Sequence, residues 1–156
     1  MASRFKKITG ITVAGAMAVT LIGGFEGLRL NSYPDVIGVW TACYGTTKGI
    51  KPGMKFTKEQ CDAIFIEELV QHEEGMRKCL KTPDAVPDKP YIAYVSLTYN
   101  IGVGGFCKSS LPALINAGKY REACGRLLSF NKAGGKVVKG LTNRREQEKK
   151  FCLSGL

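Results

Sequence analysis

Glu26, Asp35 and Thr41 bring two carboxyl groups and a hydroxyl together within one short stretch of the sequence. Cleavage of a glycosidic bond needs two such acids. One donates a proton to the leaving oxygen, and the other stays ionised to direct a water molecule or to stabilise positive charge on the sugar. Carboxyl pairs at this separation are also common on solvated surfaces, so the spacing alone does not establish a catalytic site.

The residues around this pair predict a different local structure for each member. Glu26 closes a long uncharged run, and residues 26–30 are predicted to form the last turns of a helix, which is broken by Pro34. Beyond the proline, β-branched and aromatic residues predict strand structure. Glu26 is therefore expected at a helix end, Asp35 in a loop and Thr41 on or beside a strand. Such an arrangement can place two acids on opposite walls of a cleft.

The motifs that contain these residues resemble the active-site signature of the phage-type lysozymes, glycoside hydrolase family 24. The spacing Glu-x8-Asp-x5-Thr matches without a gap, and the resemblance runs from about Phe25 to the C-terminus. One position departs from the pattern: a histidine commonly follows the glycine matched by Gly45, and Thr46 stands there instead. The matching segments are Glu26-Gly27-x-Arg29, Tyr33-x-Asp35-x-x-Gly38-x-x-Thr41-x-x-x-Gly45, Tyr99-Asn100-Ile101-Gly102-Val103-Gly104 and Gly140-Leu141-x-x-Arg144-Arg145-x-x-Glu148.

The resemblance implies a lysozyme-like α+β fold with a small antiparallel sheet lobe, a larger helical lobe and an N-terminal apolar helix. It implies hydrolysis of the β-1,4 bond between N-acetylmuramic acid and N-acetylglucosamine in peptidoglycan, with inversion, leading to lysis of the host cell. Glu26 would be the general acid, Asp35 would direct the water or stabilise the cationic sugar, and Thr41 would help to place that water. The implied partner is the glycan strand of peptidoglycan, and no cofactor is implied.

The charge of the chain is strongly positive and unevenly distributed. The formal net charge is +10, and residues 119–150 hold ten Lys and Arg against three Asp and Glu. Such a face attracts polyanions, among them nucleic acid, anionic lipid and cell-wall polymers. The sequence contains no recognition helix, zinc finger or aromatic RNA-binding motif, so no specific nucleic-acid partner is predicted. Two other functions stay open: an exported cationic protein that disrupts envelopes without catalysis, and a basic adaptor for an anionic partner.

A basic flank precedes an apolar run at the N-terminus. Arg4, Lys6 and Lys7 are followed by residues 8–25, which contain no charged side chain, and this order is typical of export signals. As a helix, this run would span about 27 Å, slightly less than the ~30 Å hydrocarbon core of a bilayer. Glycine and threonine dilute its large apolar residues, so it predicts only a weak membrane anchor.

Three interpretations of this segment remain: a buried helix of a cytosolic protein, a cleaved signal peptide, or an uncleaved anchor. The basic flank favours the two exported forms over the buried helix. The resemblance adds a mechanism, since some phage lysozymes carry a signal-anchor-release segment that is exported in the membrane and later freed into the periplasm. It implies a division into residues 1–24 as this segment and residues 25–156 as the lysozyme catalytic domain. The chain would first be tethered to the inner membrane through residues 8–25. Because Glu26 follows directly, the anchored form is expected to be inactive.

The six cysteines form an even set in a chain with an export signal, which favours disulfide bonds. Fifteen pairings are possible, and only Cys124 with Cys152, on two predicted C-terminal helices, is suggested as one pair. Zinc binding is the rival interpretation, but the sequence has no C-x2-C pair and a single histidine, His72. No metal site is predicted, and His72 is interpreted as a surface residue of a helix.

The remaining sequence predicts a small hairpin sheet near residues 36–56, followed mainly by helices. Thr57 and Gln60 form a capping box that opens the first of these helices, which is predicted to end near Leu80. The later helices are predicted at residues 90–100, from Ser109 or Ser110 to Gly118, at residues 120–130, and from Thr142 onward.

Overall fold

The computed structural model describes residues 3–156 of the chain. The chain divides into two compact units, one that ends at Val70 and one that spans Gln71–Leu156. The elements before the division are β1 (Lys6–Lys7), β2 (Gly10–Ile11), α1 (Val13–Glu26), β3 (Arg29–Pro34), β4 (Trp40–Cys43) and the start of α2 (Lys58–Lys78). After it come α3 (Asp88–Ile101), α4 (Val103–Lys108), α5 (Leu111–Asn116), α6 (Tyr120–Arg126), β5 (Lys132–Ala133), β6 (Lys136–Val137) and α7 (Lys139–Leu153).

The uncharged N-terminal run is helical only in its later part. β1 and β2 form a small antiparallel hairpin, in which Lys6 lies opposite Ile11. α1 begins at Val13, because the Thr12 side chain accepts a hydrogen bond from the amide of Gly15 at 3.0 Å and so satisfies a first-turn donor. Among residues 3–156, no helix combines the length and the apolar character that a bilayer span requires.

The C-terminal end of α1 also differs from the prediction. The helix ends at Glu26, because Gly27 adopts the left-handed φ of +79° and its amide bonds to the carbonyl of Gly23 at 2.9 Å. Residues 27–30 therefore do not form helical turns but lead into β3, which begins at Arg29. The prediction that residues 26–30 are helical was wrong because Gly27, not Pro34, ends the helix.

Two glycines allow α1 to approach its neighbours closely. A Cβ on Gly15 would lie 2.1 Å from the carbonyl oxygen of Phe5, and a Cβ on Gly23 would lie 2.8 Å from Cε1 of Tyr44. A Cβ on Gly24 would meet nothing within 4 Å. Both close-packed glycines lie on the buried face of the helix, with Ala18, Val19 and Ile22.

The β3–β4 pair is the largest of three small antiparallel sheets in the described part of the chain. Tyr33 lies opposite Thr41 and Pro34 opposite Trp40, and a register shift falls between Arg29 and Tyr33. The predicted hairpin sheet near residues 36–56 is thus present but starts earlier in the sequence. An additional bridge between Asn31 and Lys55 brings the later loop to the same sheet.

α2 begins as the sequence predicts. The amide of Thr57 donates to Oε1 of Gln60 at 2.8 Å, and the amide of Gln60 donates to the Thr57 hydroxyl at 3.1 Å. This reciprocal pair is the predicted capping box. The helix ends at Lys78, close to the expected end at Leu80.

The second unit is helical apart from one hairpin. α3 supplies a continuous buried stretch from Pro90 to Thr98, while α4 is a short helix that the sequence did not predict. β5 and β6 form a hairpin across the basic segment, with Lys132 opposite Val137. α7 begins at Lys139, earlier than the Thr142 start that was predicted. Small antiparallel sheets and a mostly helical chain confirm the α+β class.

Three disulfide bonds join the six cysteines, and the predicted Cys124–Cys152 pair is one of them. The other two are Cys43–Cys61 and Cys79–Cys107. Each bond closes a loop within a single unit, with sequence separations of 18, 28 and 28 residues.

The second unit contains a buried ion pair. Arg145 and Glu148, one turn apart on α7, are both 0% exposed, and Nη2 of the arginine donates to Oε1 of the glutamate at 2.8 Å. The Ser96 hydroxyl donates to the same oxygen at 2.6 Å, and Nη1 of Arg145 donates to Oδ1 of Asn100 at 2.9 Å. Loss of hydration lowers the pKa of Arg145, and the carboxylate of Glu148 partly offsets this.

Candidate active site

The three predicted site residues all lie in the first unit, on the elements that the sequence predicts. Glu26 is the half-buried last residue of α1, Asp35 lies in the turn between β3 and β4, and Thr41 lies on β4 with 5% of its surface exposed. A helix end, a turn and a strand therefore each contribute one chemical group.

The Asp35 carboxylate is fixed by the backbone of its own turn. Its Oδ1 accepts hydrogen bonds from the amides of Ile37 at 3.0 Å and Val39 at 2.8 Å. The Asp35 amide donates to the Val39 carbonyl at 2.8 Å, and the Gly38 amide donates to the Asp35 carbonyl at 2.9 Å. Gly38 has a φ of +87°, which closes the turn in a conformation that favours glycine. Amide donors of this kind orient a carboxylate and stabilise its negative charge.

Val39 connects Asp35 with Thr41. Its amide donates to the Asp35 carboxylate at 2.8 Å, while its carbonyl accepts a hydrogen bond from the Thr41 hydroxyl at 3.0 Å. The carboxylate and the hydroxyl are thus attached to the two polar groups of one residue, which fixes their relative positions.

The strand that carries Thr41 is anchored at its far end. Cys43, which has a φ of +58°, is bonded to Cys61 on α2, and the amides of Ala42 and Thr46 each donate to the other's carbonyl, at 3.0 and 2.9 Å. The Thr46 hydroxyl donates to Glu68 on α2. Thr46, at the position where the family commonly has histidine, therefore still connects this turn to α2 by a side-chain hydrogen bond.

Tyr44 links α1, β4 and α2 within the first unit. Its ring stacks on Phe65 with 4.6 Å between centroids, its hydroxyl donates to Asp62 at 2.5 Å, and it packs against Gly23. Burial, together with the bond to Asp62, raises the pKa of Tyr44, so the hydroxyl remains a donor. The sequence did not identify this contact, because it depends on a glycine whose role is visible only in the packed structure.

His72 lies on α2, and its ring centroid is 4.8 Å from that of Tyr99. Among residues 3–156, no group of three or more His, Cys, Asp or Glu side chains is placed to hold a metal ion. The candidate site residues Glu26, Asp35 and Thr41 offer two carboxyl groups and a hydroxyl for chemistry.

Comparison with known proteins assigns the chain to a family. Residues 23–148 match the family model of phage lysozyme. The SAR-endolysin of Enterobacteria phage P21 is 35% identical over 159 residues, covering 96% of this chain and 95% of that protein. The muramidase domain of SpmX from Asticaccaulis excentricus has a TM-score of 0.74 and 30% identity, covering 88% of this chain and 95% of that one. A crystal structure of a P22 lysozyme variant has a TM-score of 0.79 and 29% identity, covering 88% and 96%.

The fold and these matches thus define a glycoside hydrolase with a lysozyme-like fold. The chain belongs to the phage lysozyme family, and within it to the SAR-endolysin type. It is a muramidase with peptidoglycan as its substrate, and these matches do not favour the alternative of a cationic envelope-disrupting protein without catalysis.

Proposed function

We propose that Glu26, Asp35 and Thr41 carry out the muramidase reaction of this phage lysozyme. Glu26 donates a proton to the oxygen of the β-1,4 bond between N-acetylmuramic acid and N-acetylglucosamine. Asp35 stabilises the cationic sugar or directs the attacking water, and Thr41 helps to place that water. The observation that supports pairing Asp35 with Thr41 is the attachment of the Asp35 carboxylate and the Thr41 hydroxyl to the backbone of Val39. Glu26 is assigned as the acid from its position as the half-buried last residue of α1.

The stereochemistry of the reaction distinguishes a water-directing Asp35 from a nucleophilic one. A carboxylate that directs water instead of attacking the sugar gives inversion, so the first product formed from a β-linked glycan should be the α-anomer. Proton NMR of the anomeric signals, recorded faster than mutarotation on a soluble glycan, measures this. Initial release of the β-anomer would show that Asp35 acts as a nucleophile in a retaining reaction.

We further propose that the chain is exported to the periplasm of the host as a membrane-tethered precursor. Residues 1–24 act as a signal-anchor-release segment and residues 25–156 as the catalytic domain, with residues 8–25 embedded in the inner membrane before release. The SAR-endolysin type of the relatives and the uncharged run after a basic flank support this proposal. In the membrane the helix has to extend back through residues 8–12, so release includes refolding of this part into the β1–β2 hairpin. While the segment is embedded, Glu26 is held at the bilayer surface and the enzyme is inactive.

Replacing Ala16, Thr20 and Gly24 together by leucine is expected to hold the protein in the membrane and to abolish lysis. These positions are exposed and follow one face of α1, so leucine there does not disturb the packed face. Each leucine favours insertion by about 0.3–0.6 kcal/mol. Membrane fractionation and culture lysis are the measurements. Gly15 and Gly23 are unsuitable positions, because leucine would collide with Phe5 or Tyr44.

The control for this experiment is Ala16→Ser/Thr20→Ser/Gly24→Ser, which changes the same exposed positions without adding apolar surface. It should be released and lyse the culture at the normal time, since the substituted positions do not enter the packed face. Appearance of the leucine variant in the soluble periplasmic fraction, with lysis at the normal time, would refute the tethering proposal.

A further inference from the structure

The turn that holds Asp35 exposes two apolar side chains to solvent. Val36 is fully exposed and Ile37 is 81% exposed. The central positions of turns are usually occupied by Gly, Pro, Asn, Asp or Ser, so two consecutive β-branched apolar residues are unusual there. Exposed apolar residues that cluster beside a polar site often mark a binding surface.

Hydrogen bonds within the turn hold the backbone of these two residues in place. The Gly38 amide closes the turn on the Asp35 carbonyl at 2.9 Å, and the Asp35 carboxylate accepts the amides of Ile37 and Val39. A ligand that contacts the tip therefore does not have to order it, and such preorganisation increases affinity.

The same hydrogen bonds connect the apolar tip to the chemistry. The Ile37 amide binds the carboxylate that we assign to the reaction, at 3.0 Å. A glycan that reaches Asp35 therefore approaches the tip as well. Pyranose rings present apolar C–H faces, and each N-acetyl group of this polymer ends in a methyl group. Both surfaces are suited to contact with aliphatic side chains.

We propose that Val36 and Ile37 form an apolar contact for the N-acetyl methyl groups and sugar C–H faces of the peptidoglycan glycan, and that this contact strengthens substrate binding. The inference rests on the proposed role of Asp35. Neither residue donates or accepts a proton, so they bind substrate without taking part in bond cleavage.

Charge favours the glycan over a lipid surface as the occupant of this tip. Asp35 is the charged residue of this turn, and the cation of β3, the Arg29 guanidinium, is engaged over the ring of Tyr33, 4.0 Å from its centroid. Surfaces that bind anionic bilayers carry lysine or arginine next to their apolar residues, whereas this tip has a carboxylate beside it. The N-acetyl methyl groups and sugar C–H faces that would contact the tip carry no charge, so no such repulsion opposes their contact with it.

The test is the Val36→Thr/Ile37→Thr double variant, which keeps the β-branched shape and adds polarity. On soluble, peptide-free glycan oligomers prepared from peptidoglycan, KM should rise about three- to tenfold while kcat stays within about twofold, because a contact of this kind contributes to binding. The matched control is Val137→Thr/Val138→Thr, a second pair of adjacent exposed β-branched apolar residues, at the end of the β5–β6 hairpin, which should leave both constants unchanged. Thermal unfolding of both variants checks that the fold is intact, and Ile37→Thr alone should give part of the effect.

Three results would overturn the inference. They are an unchanged KM in the double variant, an equal rise in the control variant, and a fall in kcat with KM unchanged. Loss of flotation with phosphatidylglycerol vesicles, with KM unchanged, would assign the tip to lipid instead. Failure of the wild-type protein to cleave the glycan would contradict the proposed function itself, which is a distinguishable outcome.

Discussion

Glu26→Gln is expected to lower kcat/KM on purified sacculi by about 10²–10⁴, because the amide keeps the shape of the side chain but cannot donate a proton as a carboxylic acid does. The fold should persist. Glu26 is the half-buried last residue of α1, and a negative charge at the C-terminal end of a helix is unfavourable, so its removal there does not cost stability through the helix dipole. Initial rates and the thermal unfolding midpoint are the two measurements.

Glu59→Gln is the matched control. Glu59 is exposed in the first turn of α2, so this substitution changes the net charge by the same amount and should leave the rate unchanged. The pair of variants separates catalysis from disruption of the wall by positive charge. Such disruption would depend on the net charge, which both variants change equally, and not on the Glu26 carboxyl group. Clearance of sacculi by Glu26→Gln at the wild-type rate would remove Glu26 from the mechanism.

Glu148→Gln is expected to lower the free energy of unfolding by about 3–5 kcal/mol, because it leaves the guanidinium of Arg145 buried without a negative partner. Both side chains are 0% exposed, and Nε of Arg145 lies 2.6 Å from the second carboxylate oxygen, an ion-pair contact whose angle falls outside hydrogen-bond geometry. Arg144, whose Nε lies 3.5 Å from Glu148, adds a second positive charge beside the lost carboxylate. Urea unfolding of the oxidised protein measures the loss.

Two further variants define the cause of this loss. Glu146→Gln, on an exposed position of the same helix, should change stability by less than about 0.5 kcal/mol. The Arg145→Met/Glu148→Met double variant should be more stable than Glu148→Gln alone. It removes both charges, whereas Glu148→Gln leaves the arginine charge buried without a partner. If the free energy of unfolding of Glu148→Gln lies within about 1 kcal/mol of the wild type, water or a local rearrangement must stabilise the unpaired charge of Arg145.

The placement of the site residues could be predicted from local sequence rules. Glu26 on a helix end, Asp35 on a loop and Thr41 on a strand each follow from residues within a few positions of them. The capping box of Thr57 and Gln60 is likewise confirmed, since a reciprocal side-chain pair three residues apart is a short-range signal.

Other features depended on contacts that local rules do not contain. α1 was expected to take up the whole uncharged run, but an N-terminal hairpin and the Thr12 cap shorten it. Gly27 adopts a left-handed conformation that ends the helix, whereas the sequence pointed to Pro34. The Cys43–Cys61 and Cys79–Cys107 disulfides and the Thr46–Glu68 hydrogen bond join residues about 18–28 positions apart. Spacing in the sequence does not identify the partners in such pairs.

The Arg145–Glu148 pair illustrates the same limit. The motif that contains both residues was noticed as part of a family pattern, and charged residues three apart on a helix are commonly solvated. Their complete burial results from the packing of α3 against α7, which brings Ser96 and Asn100 to the pair.

The three cystine bridges make the redox state of the surroundings part of the folding equilibrium. A bridge that closes a loop of this length stabilises a protein by about 3–4 kcal/mol in the chain-entropy account, and a whole domain has a net stability of only about 5–15 kcal/mol. Because the loops of 18, 28 and 28 residues lie within separate parts of the chain, their contributions are additive to a first approximation. Glutathione-rich surroundings would therefore remove much of the reserve of stability that keeps this enzyme folded.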